Sequence, residues 1–203
     1  MALSPSFAGV ILAAGYSSRM GSDKALLPWK EGTFLSAAIR ALQAITELVI
    51  VVAGENEPNL APIVYAQAAF LVRNPNPQDG QFSSLRLGLA EVLSHGRDAA
   101  ILTLVDRPAP APETVEFLKN EFLAGSEEIW AIVPQFGQKH GHPIVVGREM
   151  IEAFLRAPAT GNARDVEHAH QPRIRYVAVT DPNVTLNVNT AEDFQKLHAG
   201  PYI

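Results

Sequence analysis

The sequence predicts an α/β protein of three layers, a mostly parallel sheet with helices on both faces, and three observations lead there. Strand-length apolar runs recur along all 203 residues. Several are apolar at both even and odd positions, as strands covered on two faces should be. Between them apolar residues return at helical spacing, so strands alternate with helices. The joints rich in Pro and Gly, at 54–62, 73–80 and 106–112, are too short for an interdomain linker, and no repeat or low-complexity tract interrupts the pattern. One domain over residues 1–203 is expected.

In chain order, the first strand is Ala8–Leu12. A helix follows with Leu35, Ala38, Ile39 and Leu42 on one face. Two strands come next, Leu48–Ala53 and Ala69–Val72. Leu85, Leu89, Val92 and Leu93 then form a second helical stripe, with Ser83 or Ser84 as its cap. After the strand Ala99–Val105, Pro112 suits the first turn of a helix that puts Val115, Leu118 and Phe122 on one side. The runs Ile129–Pro134, Pro143–Val146, Ile174–Val179 and Val184–Val188 complete the strands.

Composition narrows the function classes. The chain is 47% apolar, an ordinary value, and its longest apolar runs are far too short to cross a bilayer. Residues 1–8 lack the basic start and apolar core of a secretory signal. With no cysteine there is no disulfide framework, thiolate nucleophile or cysteine-based metal site. A cytoplasmic protein without a membrane partner is expected. The formal charge of −5 argues against nucleic-acid binding. It does not exclude a nucleotide enzyme, because a few placed cations and a Mg²⁺ can hold a triphosphate.

Open α/β sheets bind ligands beyond the carboxyl ends of their strands. Three polar stretches sit at such ends: Ala13–Lys24, Asp106-Arg107-Pro108 and Asn187-Val188-Asn189. In a parallel sheet they converge on one crevice. Ala13, Ala14 and Gly15 let a base or phosphate approach the backbone closely. Arg19 offers a bidentate fork and Lys24 a mobile point charge, a suitable pair for phosphate oxygens. The stretch is neither a P-loop nor GxGxxG, since Gly21 is followed by Ser22 and Asp23. A Gly-rich turn with solvated cations remains the plain alternative.

The order of types in Leu12-Ala13-Ala14-Gly15-x-Ser17-x-Arg19-Met20-Gly21-x-x-Lys24-x-Leu26-Leu27 resembles the signature LAAGxSxRMGxxKxLL of the molybdenum cofactor nucleotidyltransferases, within the larger group of GT-A-like nucleotidyltransferases. The resemblance implies that this loop, from Leu12 through Gly15, wraps a nucleoside triphosphate, with Arg19 and Lys24 on its phosphates. Gly80-Gln81-Phe82-Ser83-Ser84 is similar to the segment in which related cytidylyltransferases present a glycine and a serine to the base, here Gly80 and Ser84. Ser83 and Ser84 also suit a helix cap. The Asp of Asp106-Arg107-Pro108 matches a family metal ligand, although Arg107 stands where Gln or Met is usual. Asn189, in Leu186-Asn187-Val188-Asn189-Thr190-Ala191-Glu192-Asp193, matches the second ligand position, and Mg²⁺ is the implied metal. Thr190 with Asp193 reads in addition as a helix cap and its third helical residue.

On the acceptor side, Gly141-His142-Pro143 resembles the GHP of the cytidylyltransferases, although a lone histidine is more often a structural hydrogen-bonder. Ala159–Arg164 is similar to the family's D-x-G-A-R loop, with Thr160 and Asn162 departing from it and Arg164 retained. His142 and Arg164 are therefore the acceptor candidates. His168, His170, Asp98 and Glu91 read as surface residues.

The resemblance implies in-line attack by an acceptor phosphate on the α-phosphorus of the nucleotide, with pyrophosphate leaving. CTP is the expected donor and molybdopterin the expected acceptor, because LAAG and GHP are cytidylyl features and the Ala14 methyl narrows the base slot. Asn187-Val188-Asn189 is closer to the guanylyl members. A nucleotidyltransferase for another phosphorylated acceptor, a GT-A glycosyltransferase and a non-catalytic nucleotide-binding module stay as alternatives. The glycosyltransferase would normally carry a D-x-D pair that Asp106-Arg107-Pro108 lacks.

Overall fold

The computed structural model describes residues 4–15 and 23–199. In chain order its elements are β1 (Phe7–Leu12), the hairpin β2 (Pro28–Trp29) and β3 (Gly32–Thr33), α1 (Phe34–Gln43), β4 (Leu48–Ala53), α2 (Glu57–Ala66), β5 (Phe70–Arg73), α3 (Gln81–Ser94) and β6 (Ala99–Leu104). The second half adds α4 (Pro112–Leu123), β7 (Ala131–Phe136), β8 (Lys139–His140), β9 (Ile144–Gly147), α5 (Arg148–Arg156), α6 (Ala163–Ala169), β10 (Ile174–Ala178) and α7 (Ala191–Ala199).

One eight-stranded sheet runs in the order β10-β7-β9-β6-β1-β4-β5, with β8 paired to β7. The pairs β1–β4, β1–β6, β4–β5 and β7–β10 are parallel, while β9 runs against β6 and β7 and β8 against β7. The mostly parallel sheet expected from the two-faced apolar runs is therefore present. Alternation along β1 builds the layers. Phe7 and Ile11 enter one core with Leu35, Ile39, Leu60, Val115 and Leu118, which seats α1, α2 and α4 on that face. Ala8, Val10 and Leu12 enter the other with Leu85, Leu89, Met150, Phe154 and Val166, which seats α3, α5 and α6 opposite. A smaller cluster of Trp29, Phe34, Val188 and Leu197 fastens the hairpin, α1 and α7 together.

Three expectations are corrected, the first being the cap of α3, which is Gly80, with Ser83 and Ser84 inside the helix. Val184–Val188 is not a strand. Pro182–Thr185 forms a 3₁₀ turn, because Pro182 has no N–H for a ladder and the Asp181 carboxylate accepts from Asn183 N at 2.9 Å. The joint at 54–62 is largely helical, since α2 begins at Glu57. Pro58 occupies its first turn, where a missing N–H costs little, and Leu60 and Val64 bury one stripe. Thr190 does cap α7: Asp193 N donates to Thr190 Oγ1 at 3.1 Å, and Asp193 Oδ2 accepts from Thr190 N at 2.9 Å.

The close approach of α3 to the sheet depends on Gly88. A Cβ there would lie 2.8 Å from Val10 Cγ1 and 2.9 Å from Val52 Cγ2. Both neighbours are β-branched and have little rotamer freedom to yield. Gly88→Val is expected to destabilise the fold by about 1–3 kcal/mol. The change is read as a lower urea midpoint at unchanged slope.

Candidate functional site

Strand order reverses at β1: from it the chain builds β4 and β5 on one side and returns to β6 on the other. A crevice opens at the carboxyl ends of strands at such a point. Leu12 is level with Val52 on β4 and Leu104 on β6. Beyond them Ala13 N donates to Val52 O at 2.8 Å and Val105 N to Leu12 O at 3.1 Å, so Ala13-Ala14-Gly15 and Val105-Asp106 leave the sheet side by side. A third segment closes on them where Val188 N donates to Asp106 O at 2.9 Å, bringing Asn189 alongside.

These segments enclose a cleft of about 390 Å³. Leu12, Ala14 and Gly15 line it from β1, Gly80 and Ser84 from the start of α3, and Lys24, Asp106 and Asn189 form its charged end. Ala13, expected there too, does not line it, because its methyl is buried in the core. Arg19 lies outside the described residues. His142 and Arg164 do not line this cleft.

At the charged end Lys24 Nζ stands 3.5 Å from Asp106 Oδ2 and donates to Asn189 Oδ1 at 3.1 Å. Two hard oxygens from distant segments thus already face one cation. Asp106 Oδ1 is a buried oxygen with no hydrogen-bond partner. An unsatisfied carboxylate oxygen beside an amide carbonyl suits Mg²⁺, which takes oxygen ligands and is usually held by one or two protein groups plus phosphates. Among the described residues no cluster of three or more His, Asp or Glu gathers to hold a metal alone.

Two asparagines that sequence reasoning missed support the cleft. Asn74, buried at the end of β5, donates through Nδ2 to Ser84 Oγ at 2.9 Å and Ser83 Oγ at 2.8 Å. Ser84 therefore faces the cleft with its oxygen held, while Ser83 donates to Gly80 O at 2.8 Å. Gly80 sits at φ +88°, a conformation that only glycine adopts without strain. Asn56 links the two ends of the segment from Ala13 to Asp23, donating to Ala13 O at 2.9 Å and Asp23 Oδ2 at 2.6 Å. The available signal was position: each asparagine follows the end of a strand adjacent to, or one removed from, β1.

Behind the cleft, Arg107 Nη1 donates to Val184 O at 3.1 Å, and His142 N donates to the same oxygen at 2.8 Å. A Cβ on Gly141 would collide with the Val184 backbone, which accounts for the glycine of Gly141-His142-Pro143. The Arg107 guanidinium is thus tied to the 182–185 turn, its pKa lowered by burial and partly restored by Asp106. Arg164 lies exposed in the first turn of α6. Asn162 caps that helix, its Oδ1 accepting from Asp165 N at 2.9 Å, which gives this departure a structural role. Thr160, Gly161 and Asn162 border a second cleft of about 530 Å³ with Arg156 and His170. His168 is exposed, whereas His170 packs on Trp130 with ring centroids 5.2 Å apart. Asp98 pairs with Arg148 at 2.8 Å, and Glu91 with His95 at 3.6 Å.

A family model described as "MobA-like NTP transferase domain" matches residues 9–174. The molybdenum cofactor cytidylyltransferase of Escherichia coli K12 is 26% identical over 190 residues, 91% of this chain and 92% of that protein. The molybdenum cofactor guanylyltransferase of Xanthomonas euvesicatoria is 29% identical over 204 residues, 99% of this chain and 100% of that protein. Among solved structures, Rv0371c of Mycobacterium tuberculosis H37Rv superposes with a TM-score of 0.81 at 28% identity, covering 98% of this chain and 100% of that one. A manganese complex of the same protein gives 0.75 at 27% identity, over 95% and 97% of the two chains.

Burial, and secondarily the charge of Arg107, pushes the His142 imidazole down to about 3 from its ordinary 6.5. Below pH 6.5 the unfolded chain takes up a proton that the native chain refuses. The stability due to this neutral ring is therefore complete above pH 6.5 and is lost as pH falls towards 3. Glu167, raised by burial from 4.5, has the opposite sign in its own range. Between pH 6.5 and 5 the unfolding free energy is expected to fall by up to about 1.4 kcal/mol per pH unit through His142. In His142→Gln that component of the slope, measured by urea unfolding, should vanish.

Proposed function

The chain belongs to the MobA-like NTP transferase family, and from that footing we propose that it transfers CMP from CTP to the phosphate of molybdopterin, with release of pyrophosphate. The observation that carries the reading is the Lys24 ammonium between Asp106 and Asn189, at the charged end of a cleft lined by small residues. A triphosphate laid along Ala14 and Gly15 would bring its phosphates to that end. Lys24, with Arg19, would hold them. Asp106 and Asn189 would hold Mg²⁺, which supplies positive charge against the phosphate oxygens; the manganese complex of a relative supports a divalent ion.

In the reaction an acceptor phosphate oxygen forms a bond to the α-phosphorus while the bond from that phosphorus to the α–β bridging oxygen breaks. The electron pair leaves with pyrophosphate. An acceptor phosphate is largely a dianion near neutral pH, so no side-chain base is required and positioning with charge neutralisation suffices. Lys24 would offset the charge that gathers on the leaving group.

Ala14 supports CTP: it lines the cleft, and its carbonyl would lie 2.9 Å from a Cβ on Gly54, so the floor has little room to retreat. Asn187 and Asn189, together with relatives named guanylyltransferases, favour GTP as the second reading. The acceptor's contacts rest on resemblance, and the geometry of this cleft favours neither His142 nor Arg164.

A thermal-shift series with CTP, GTP, UTP and ATP, each with and without Mg²⁺, tests the donor. The largest stabilisation is expected from CTP with Mg²⁺; a larger shift with GTP would transfer the reading to guanylyl transfer. Ala14→Gly should move kcat/KM towards GTP by about tenfold, the worth of one methyl in a fitted pocket. Asp106→Ala should abolish turnover with the melting temperature retained. Lys24→Ala should weaken CTP binding by about 1.5–3 kcal/mol in calorimetric titration.

A further inference from the structure

We propose that Asn56 is a positioning residue for the nucleotide loop, clasping its two ends through one side-chain amide. The proposal rests on reading the Ala13–Lys24 stretch as the nucleotide loop. Asn56 Nδ2 donates one hydrogen to Ala13 O at 2.9 Å and the other to Asp23 Oδ2 at 2.6 Å, while Oδ1 accepts from Gly54 N at 3.0 Å. The far oxygen of Asp23 accepts from Ala25 N at 3.0 Å and starts the turn Lys24–Leu26, which presents Lys24 to Asp106 and Asn189. One amide thus connects the end of β1, the end of β4 and the base of the phosphate-facing lysine.

The position of Asn56 sharpens the inference. It is the N-cap residue of α2, where an asparagine normally turns its oxygen onto the second or third helical N–H, yet it makes no side-chain cap bond. Pro58 supplies no donor at the second position, and Asn59 N bonds to the backbone oxygen of Asn56 at 3.0 Å. The helix start is served without the side chain, which is directed to the loop instead. Gly54 completes the contact, because any Cβ there would press on the Ala14 carbonyl. Holding Ala13 and Asp23 in place before the ligand arrives presets where Ala14 and Lys24 meet it.

The test is calorimetric titration with Mg²⁺ and whichever of CTP or GTP binds the unmodified chain more tightly. Asn56→Ser keeps a residue able to cap α2 but cannot span to Ala13 and Asp23. It is expected to weaken nucleotide binding about tenfold, the worth of a hydrogen bond to a charged group, and to raise KM with a smaller change in kcat. Its melting temperature should fall by only a few degrees, the cost of the hydrogen bonds lost, whereas a purely structural asparagine would lower it and leave affinity alone. Asn56→Asp should bind more weakly still, since it sets a carboxylate against Asp23 and the Ala13 carbonyl. Adding Asp23→Asn restores the amide–carboxylate pair with roles exchanged and should recover part of the affinity. Unchanged affinity in Asn56→Ser overturns the proposal, as does a double variant no better than Asn56→Asp alone. Failure of the unmodified chain to bind either nucleotide would instead remove the nucleotide reading.

Discussion

Parallel pairing of β1 with β4 on one side and β6 on the other is the constraint on which the rest of the structure depends. β1 is buried along its whole length, and its two faces feed two different cores. A slip of one residue would exchange those faces and turn each apolar set towards the wrong helices, so burial on both sides fixes the register. Gly9 contributes to the same fixity: a Cβ there would lie 2.8 Å from Leu42 Cβ, and its absence lets α1 settle onto the strand. With register fixed, Leu12, Val52 and Leu104 end level. The segments that follow them, carrying Ala14, Asn56 and Asp106, emerge at one height and share one crevice.

The electrostatics follow from that placement. Lys24 arrives on a short turn, Asp106 on the exit of β6 and Asn189 on the segment before α7, so their meeting ties together parts of the chain far apart in sequence. Their side chains are only partly exposed, with 15% for Lys24 and 29% for Asp106, which leaves the pair partly screened by solvent and open to ligand. A lysine held between two oxygens can exchange those contacts for phosphate oxygens, and the same oxygens can take a divalent cation. An arginine would be a poorer occupant, because its planar fork favours bidentate carboxylate contact over a point charge between two ligands. Arg107, next along the chain from Asp106, is diverted to Val184 and leaves the charged end to Lys24.

Much of this was legible in the sequence because it depends on local pattern. Apolar runs on both parities gave the central strands, and their loops gave the small residues, Lys24 and Asp106. Asn189 was legible only through the resemblance of 186–194 to the family's closing motif. Asn56 and Asn74 were not, since an asparagine after a strand is ordinarily just a turn residue, and only strand order reveals what lies opposite. α2 was obscured by Pro58 and Pro62, which weigh against a helix by composition although the first suits a helix start. Val184–Val188 looked like a strand because alternating apolar residues do not show that Asp181 and Pro182 have already committed the backbone to a turn. The Arg107 departure was visible, but its direction was not: burial beside Val184 is a tertiary fact.

Nucleotidyl transfer is tested most directly by following the α-phosphate. The chain would be incubated with α-labelled CTP, Mg²⁺ and molybdopterin, measuring label in the pterin product and pyrophosphate in parallel. Labelled CMP is expected to enter the product with one pyrophosphate released for each transfer. CTP bound tightly, with neither labelled product nor pyrophosphate, would contradict it and leave the cleft a nucleotide-binding site without the chemistry.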